Sequence, residues 1–457
     1  MRIPAERLTT ADQAYSPLAE VRTKGGGRAR PVLIVLLALL YPWHFAVWAT
    51  SYTGKNPTIP HGGLNLSLGD SMIALIGVVL LLQLAGGRVR LPRYALQTFV
   101  WFTVAAVSVT VSALSPAFFF ELHDSEVGLV KILAAATWMI AVFWLLEDSF
   151  PQRFLLLGGS SVLAATGFAV ASVIENVFLG IERPFGPFQN ANIYGNYLML
   201  NVFLAIGIDR LLGQPAGRVA VRPAVRRALR LAIRFGAVTI LILGLLATGS
   251  RGAMVGFGIG LLLAVPWGAV KRLSLRGTVA FAVGALVLAL ALSWYLGRNP
   301  YVVTRWSQTA AGQGPNVEER FALWEGALQA FSEHPVLGIG YAQFPNYAGH
   351  QPYLRATVTH QTYLATAAEL GAPGLLALLW LLLSVILDSW RVKDRAFVGV
   401  AHACCGFVVA ASTQGLFNNV QQERSLWIVF GMVAALIAYL RTSRVGPPSA
   451  LVARGLR

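Results

Sequence analysis

Apolar runs of about 20 residues recur along the chain, each closed by arginine, proline, glycine or acidic residues. A helix of that length crosses the hydrocarbon layer of a bilayer. Read in order, the runs predict twelve spans, at about 31–52, 66–86, 95–115, 127–146, 154–177, 192–209, 235–248, 253–270, 277–296, 360–388, 396–414 and 425–440. The fold class expected is an all-α polytopic membrane protein. Its divisions are a tail at 1–30, nine spans within 31–297, a long and partly helical loop at 298–359, three spans within 360–440, and a tail at 441–457. No internal repeat is visible, which weighs against a transporter built from matching halves.

The loop has its own pattern. Val317, Phe321, Trp324, Leu328 and Phe331 recur at helical spacing, with Asn316 and Glu319 placed as a capping box. This apolar face is expected to rest on the membrane domain. Pro335 ends the helix, and Gly338-Ile339-Gly340 makes a turn. Thr359 is expected to cap a helix that starts at His360 and continues into the tenth span. The positive end of that helix would lower the imidazole pKa and keep it neutral. A neutral imidazole at a membrane–water boundary suits a general base. A histidine that merely caps the helix is the competing reading.

Composition agrees with the pattern: 56% of residues are hydrophobic, 12% are charged, and the mean hydropathy is +0.62. The net charge of +16 is unevenly spread. Twenty-seven of the 36 Lys and Arg fall on the side of the two tails, so the positive-inside rule makes both termini cytoplasmic. The charge then reflects topology and contact with anionic membrane lipids; no nucleic-acid motif accompanies it. Cys404 and Cys405 are adjacent in an apolar run and read as packing residues, without disulfide or metal spacing. No metal site and no cofactor are expected. The first outward loop, 53–65, holds no Asp or Glu.

Few cations face outward, and these carry the candidate chemistry. Arg251 lies between two apolar runs, flanked by Gly249, Ser250 and Gly252, where its planar fork can meet two phosphate oxygens. Arg320 sits in the loop helix. Arg183 sits in a Pro/Gly-rich loop followed by Gln189, Asn190, Asn192 and Asn196, amides suited to sugar hydroxyls or phosphate. Lys131 is the only lysine inside a span; it pairs with Glu126 or meets phosphate. Tyr301, Trp306, Tyr341, Phe344, Tyr347 and Tyr353 offer rings for sugars, although interfacial aromatic belts have the same composition. His334 and His350 are alternative bases.

His360-Gln361, nine residues, then Gly371-x-x-Gly374 resembles the motif of bacterial O-antigen ligases and the wider O-antigen ligase/polymerase superfamily. Ser250-Arg251-Gly252 and Arg320-x-x-x-Trp324 followed by Pro335 and Gly338-x-Gly340 also resemble it. The resemblance implies a glycosyltransferase of the bacterial inner membrane with a periplasmic active site. The donor would be a glycan on undecaprenyl diphosphate, and the acceptor a sugar hydroxyl of lipid A–core. It implies His360 as base and Arg251 and Arg320 on the diphosphate, with Arg183, Lys131, Gln361, Asn192 and Tyr341 binding substrate. An O-antigen or exopolysaccharide polymerase and a protein O-oligosaccharyltransferase remain as alternatives, with a lipid-linked glycan transporter further off. None of Arg183, Arg251, Arg298, Arg305, Arg320 or Arg355 has the glycine eleven positions later seen in many such polymerases.

Overall fold

The computed structural model describes residues 29–43, 46–49, 65–86, 90–115, 119–188, 190–214, 221–264, 275–310 and 315–445. Most of the N-terminal tail, the loop 53–64, Arg88, Gln189, Lys271-Arg272 and the C-terminal tail beyond 445 lie outside them, as do the side chains of Arg305 and Asn316. In chain order the helices are α1 (Ala29–Leu40), α2 (Leu68–Ala85), α3 (Ala95–Leu114), α4 (Leu122–Leu146), α5 (Phe150–Phe178), α6 (Ala191–Leu212), α7 (Pro223–Leu231) and α8 (Val238–Ala247). They continue as α9 (Arg251–Ala264), α10 (Leu275–Arg298), α11 (Pro300–Ala310), α12 (Pro315–Glu333), α13 (Phe344–Gly349), α14 (Thr362–Trp390), α15 (Val398–Gln414) and α16 (Arg424–Val445).

Every predicted span coincides at least in part with a helix. Among the described residues, six helical runs are long and apolar enough to cross a membrane, or up to seven if the bent pair Ala282–Arg298 and Pro300–Gln308 is one span. Leu122–Phe178 counts there as a single run, and Ala29–Leu40, Leu68–Gln83, Arg251–Ala264 and Val398–Gln414 are shorter. The chain is a helical membrane protein. Large apolar side chains such as Leu75, Leu82, Phe99, Leu163 and Leu376 point outward, as lipid contact requires, while Trp101, Trp138 and Trp427 are fully buried.

Three predicted elements differ. The first span breaks at Leu40, because Pro42 cannot continue the helix; Ala46–Ala49 instead pairs with Asn65–Ser67 as a short antiparallel ribbon. The seventh is longer than its apolar run: α7 extends into α8 through a π-helical turn at Ala232–Ala237, and Arg230 and Arg234 reach Asp209 at 2.9 Å. The loop helix α12 begins at Pro315, so Asn316 lies within its first turn. It buries Leu323, Gly326, Ala327 and Ala330, whereas Phe321 and Leu328 are 59% and 54% exposed. Small residues win this face because they let α12 approach α14 closely.

Two ion pairs, Asp70–Arg424 and Arg93–Asp388, tie α2 to α16 and the start of α3 to α14. The helix α9 crosses α15 through its glycines. A Cβ on Gly256 would sit 2.3 Å from Ala410 O, and one on Gly260 2.2 Å from Gly406 O. This small-residue crossing brings Arg251, the first residue of α9, beside the turn after α15.

Candidate active site

Arg251 follows a sharp turn. Gly249 has φ +61°, a conformation that favours glycine, and Ser250 N donates to Thr248 Oγ1 at 3.1 Å. Gly252 packs against Phe417 and Asn418. Arg183 reaches the same turn, its Nε donating to Thr248 O and a terminal N–H to Asn192 Oδ1, both at 3.4 Å. Asn192 is held in turn by Asn190, whose Oδ1 caps α6 by accepting from Asn192 N at 2.8 Å. Two distant segments, 183–192 and 248–252, therefore meet at one place.

Arg320 is brought there by a clasp between the loop and α14. Pro373 has no N–H, so the carbonyl of Glu369 loses its usual partner. Gly371, two residues before Pro373, has φ 66° and ψ −168° and interrupts the helix within the same turn. The freed groups bond to the loop: Ile339 N donates to Ala368 O (2.9 Å), Gly340 N to Glu369 O (3.1 Å) and Ala372 N to Pro335 O (2.8 Å). Ser108 Oγ lies 2.6 Å from Leu337 O and 2.9 Å from Glu369 O, bracing both. Neither glycine of the contact tolerates a side chain. A Cβ on Gly371 would lie 2.4 Å from Val336 O, and one on Gly338 2.3 Å from the Glu369 carbonyl carbon. One turn after Arg320, Trp324 Nε1 donates to Thr359 O at 3.1 Å, fastening α12 to the residue before His360.

His360 is not the first residue of the helix. Its φ of +53° is left-handed, and α14 starts at Thr362. Gln361, rather than Thr359, is the cap, its side chain accepting from Leu364 N. Thr359 Oγ1 instead accepts from Gln361 N at 3.3 Å. The expected depression of the imidazole pKa is present with a different main cause: burial acts first and the Arg320 charge second, with Glu319 opposing. Thr362 binds the segment after α15, its Oγ1 donating to Asn418 O and accepting from Val420 N, both at 2.8 Å.

These residues line one cavity of about 210 Å³: Arg183, Asn192, Gly249, Arg251, Gly252, Glu319, Arg320, His360 and Asn418. Three guanidinium groups against one carboxylate make it positive, and its imidazole is held neutral. Such a site can hold a multiply charged oxyanion and accept a proton from a neighbouring hydroxyl. Among the described residues, no group of three or more His, Cys, Asp or Glu is placed to hold a metal ion.

Other sequence candidates lie elsewhere. Lys131 lines a second cavity with Glu369, Asn419 and Gln421; Glu126 is 3.9 Å from His123. Gln361 is occupied by its capping bond. Tyr341 is buried beside Trp101, its hydroxyl accepting from Gln422 Nε2 at 2.6 Å, and it lines neither cavity. It belongs to the main core, while Phe344 and Tyr347 build a smaller core of the loop's own; Trp306 and Tyr353 are exposed. His350 Nδ1 meets Asn346 O at 2.7 Å, and His334 is exposed at the end of α12. Glu319, read as a capping residue, lines the cavity and meets Arg355 at 3.4 Å. Asn418 was not anticipated. Its signal is the amide run Asn418-Asn419-Val420-Gln421-Gln422 between two apolar helices.

A search of curated proteins found no match to this chain. Residues 236–381 match the family model described as O-antigen ligase. That stretch contains Arg251, Arg320 and His360 and the clasp that sets α12 on α14. Through this stretch, and over those residues alone, the chain is similar to the O-antigen ligase family.

Proposed function

We propose that the chain is a glycosyltransferase that moves a glycan from undecaprenyl diphosphate to a sugar hydroxyl of lipid A–core, without a metal and with inversion. The observation that carries this reading is the single cavity lined by Arg183, Arg251, Arg320 and His360. The reaction breaks the anomeric C–O bond and leaves a diphosphate. Negative charge grows on the leaving oxygen, where preplaced guanidinium groups stabilise it in a partly dry site. His360 takes the proton of the acceptor hydroxyl as its oxygen attacks the anomeric carbon. Without substrate, burial and the Arg320 charge favour the neutral imidazole. A diphosphate on the arginines would cancel that charge, so the imidazolium becomes easier to form when it is needed. One direct displacement inverts the anomeric centre.

In this reading all twelve apolar segments span the bacterial inner membrane, both termini are cytoplasmic, and the cavity faces the periplasm. The distribution of Lys and Arg supports that orientation. A polymerase would share donor, cavity and base, differing in its acceptor. The deciding experiment incubates purified protein with a polyprenyl-diphosphate glycan and two acceptors, lipid A–core and a second lipid-linked glycan. Product on lipid A–core alone supports the ligase. Elongation of the lipid-linked glycan supports the polymerase, and no product with either sinks the reading.

A further inference from the structure

We infer that the cavity beside the candidate active site is a second carbohydrate subsite, holding a sugar one or more residues away from the reacting centre. The inference rests on the glycosyltransferase reading above. This cavity has a volume of about 340 Å³, within the range of ligand pockets. Its polar lining is Asp124, Lys131, Glu369, Asn419, Gln421 and Gln422. Val127, Pro345 and Val358 supply apolar surface between these groups. Amides, carboxylates and an ammonium interleaved with aliphatic patches suit a pyranose, which presents hydroxyl edges and C–H faces.

Two of the polar groups are not used by the fold. Gln421 is buried and its Oε1 has no partner, a costly state unless a ligand or water completes it. Lys131 makes no hydrogen bond or ion pair among the described residues. The carboxylates, by contrast, hold the walls: Glu369 Oε1 accepts from Phe344 N at 3.2 Å, and Asp124 Oδ2 from Asn346 Nδ2 at 2.9 Å. On the α4 side Gly128 lets the helix close onto the turn at Tyr341 and Ala342, where a Cβ would lie 2.9 Å from either side chain, and so forms a tight wall of the cavity.

The two cavities share a wall. Val358 and Asn419 line the second, His360 and Asn418 the first, and Thr359 Oγ1 lies 3.3 Å from Asn419 Oδ1 across it. A glycan seated in the second cavity therefore ends within a residue or two of the base. Either the acceptor glycan or the distal part of the donor glycan meets this description, and the chemistry recognising them is the same.

The test uses full-length protein in detergent and three variants: Lys131→Met, Gln421→Leu, and Ala356→Trp, which fills the cavity from the loop side. Two probes are titrated by saturation-transfer NMR: a core oligosaccharide freed from lipid, and a repeat-unit oligosaccharide freed from diphosphate. We expect one probe to bind wild type and to bind each variant about tenfold or more weakly, the loss of one charged or buried hydrogen bond, with melting temperatures retained. The probe that responds names the source. In transfer assays the KM for that same glycan should rise, with kcat kept and with a substrate lacking the distal sugars unaffected. Equal binding of both probes to wild type and variants, or binding of neither to wild type, overturns the subsite. Absence of transfer by wild type, with probe binding still lost in the variants, would instead overturn the transferase reading and leave the subsite standing.

Discussion

Gly371→Ala tests whether the glycine of the His-Gln…Gly-x-x-Gly motif serves catalysis by position. Its backbone angles, φ 66° and ψ −168°, lie in a region that is nearly glycine-only, where alanine costs about 1–3 kcal/mol. The new Cβ would also meet Val336 O at 2.4 Å and Leu337 N at 2.8 Å, backbone atoms that cannot swing away. Relief requires lifting the 335–340 turn from α14. That breaks the bonds Ile339 N–Ala368 O, Gly340 N–Glu369 O and Ala372 N–Pro335 O, each worth about 0.5–1.5 kcal/mol net. The sum is about 3 kcal/mol or more against the clasped state. The end of α12 leads directly into this turn, so Arg320 moves with it. A shift of about 1 Å can cost about 10²-fold in rate. Hydrogen exchange should rise across 320–345 and stay unchanged in α4 and α16, while transfer falls by about that factor. Gly167→Ala in α5, with nothing within 4 Å of the added carbon, serves as control and should be neutral or slightly stabilising. Gly371→Ala with wild-type exchange in the loop and wild-type transfer would refute the positioning role.

Other expectations follow from the same site. His360→Ala should lower transfer by about 10²–10⁴-fold with little change in melting temperature; near-normal turnover removes the base from the mechanism. Arg251→Ala and Arg320→Ala should each cost about 2–4 kcal/mol of transition-state stabilisation, with Lys rescuing only in part because it lacks the planar fork; full rescue by Lys would argue for simple charge. Because burial and Arg320 depress the His360 pKa below 6.5, kcat/KM should rise with pH along a limb below that value. Arg320→Met should move the His360 titration upward, as NMR of labelled histidine can follow; a downward shift contradicts the assigned cause. Transfer should survive EDTA; loss reversed by Mg²⁺ or Mn²⁺ would move the mechanism to a metal.

The helical membrane class was legible because apolar run length reports directly on burial in lipid. Run length did not report helix ends. Pro42 stops the first helix at Leu40, and the arginines of 226–234 continue as helix because Arg230 and Arg234 pair with Asp209, Arg226 donates to Gln214 O and Arg227 faces outward. In the site, Arg251, Arg320, Arg183 and His360 were each readable as scarce outward cations or as motif residues, and the structure brings them to one cavity. Their meeting was not readable, since it depends on glycine crossings and on bonds between segments far apart in sequence. Thr359 looks like a cap in the sequence because sequence alone does not reveal the left-handed turn at His360, which hands the cap to Gln361.

The loop helix exposes the limit of periodicity most clearly. Two faces of α12 recur at helical spacing: one large, through Phe321, Trp324 and Leu328, and one mostly small, through Gly326, Ala327 and Ala330 beside Leu323. Area alone favours burying the large face. Geometry favours the other, because α12 must come close enough for its C-terminal turn to bond the backbone of α14. That approach is possible only where α14 is itself open, at Gly371 and Pro373. The small face and the interrupted helix therefore work as a pair. Bulk on either side, at Ala327 or at Gly371, would lift Arg320 away from His360. The spacing between histidine and glycine in the motif then has a mechanical reading: it sets the number of helical turns between His360 and the point where the arginine-bearing loop is anchored.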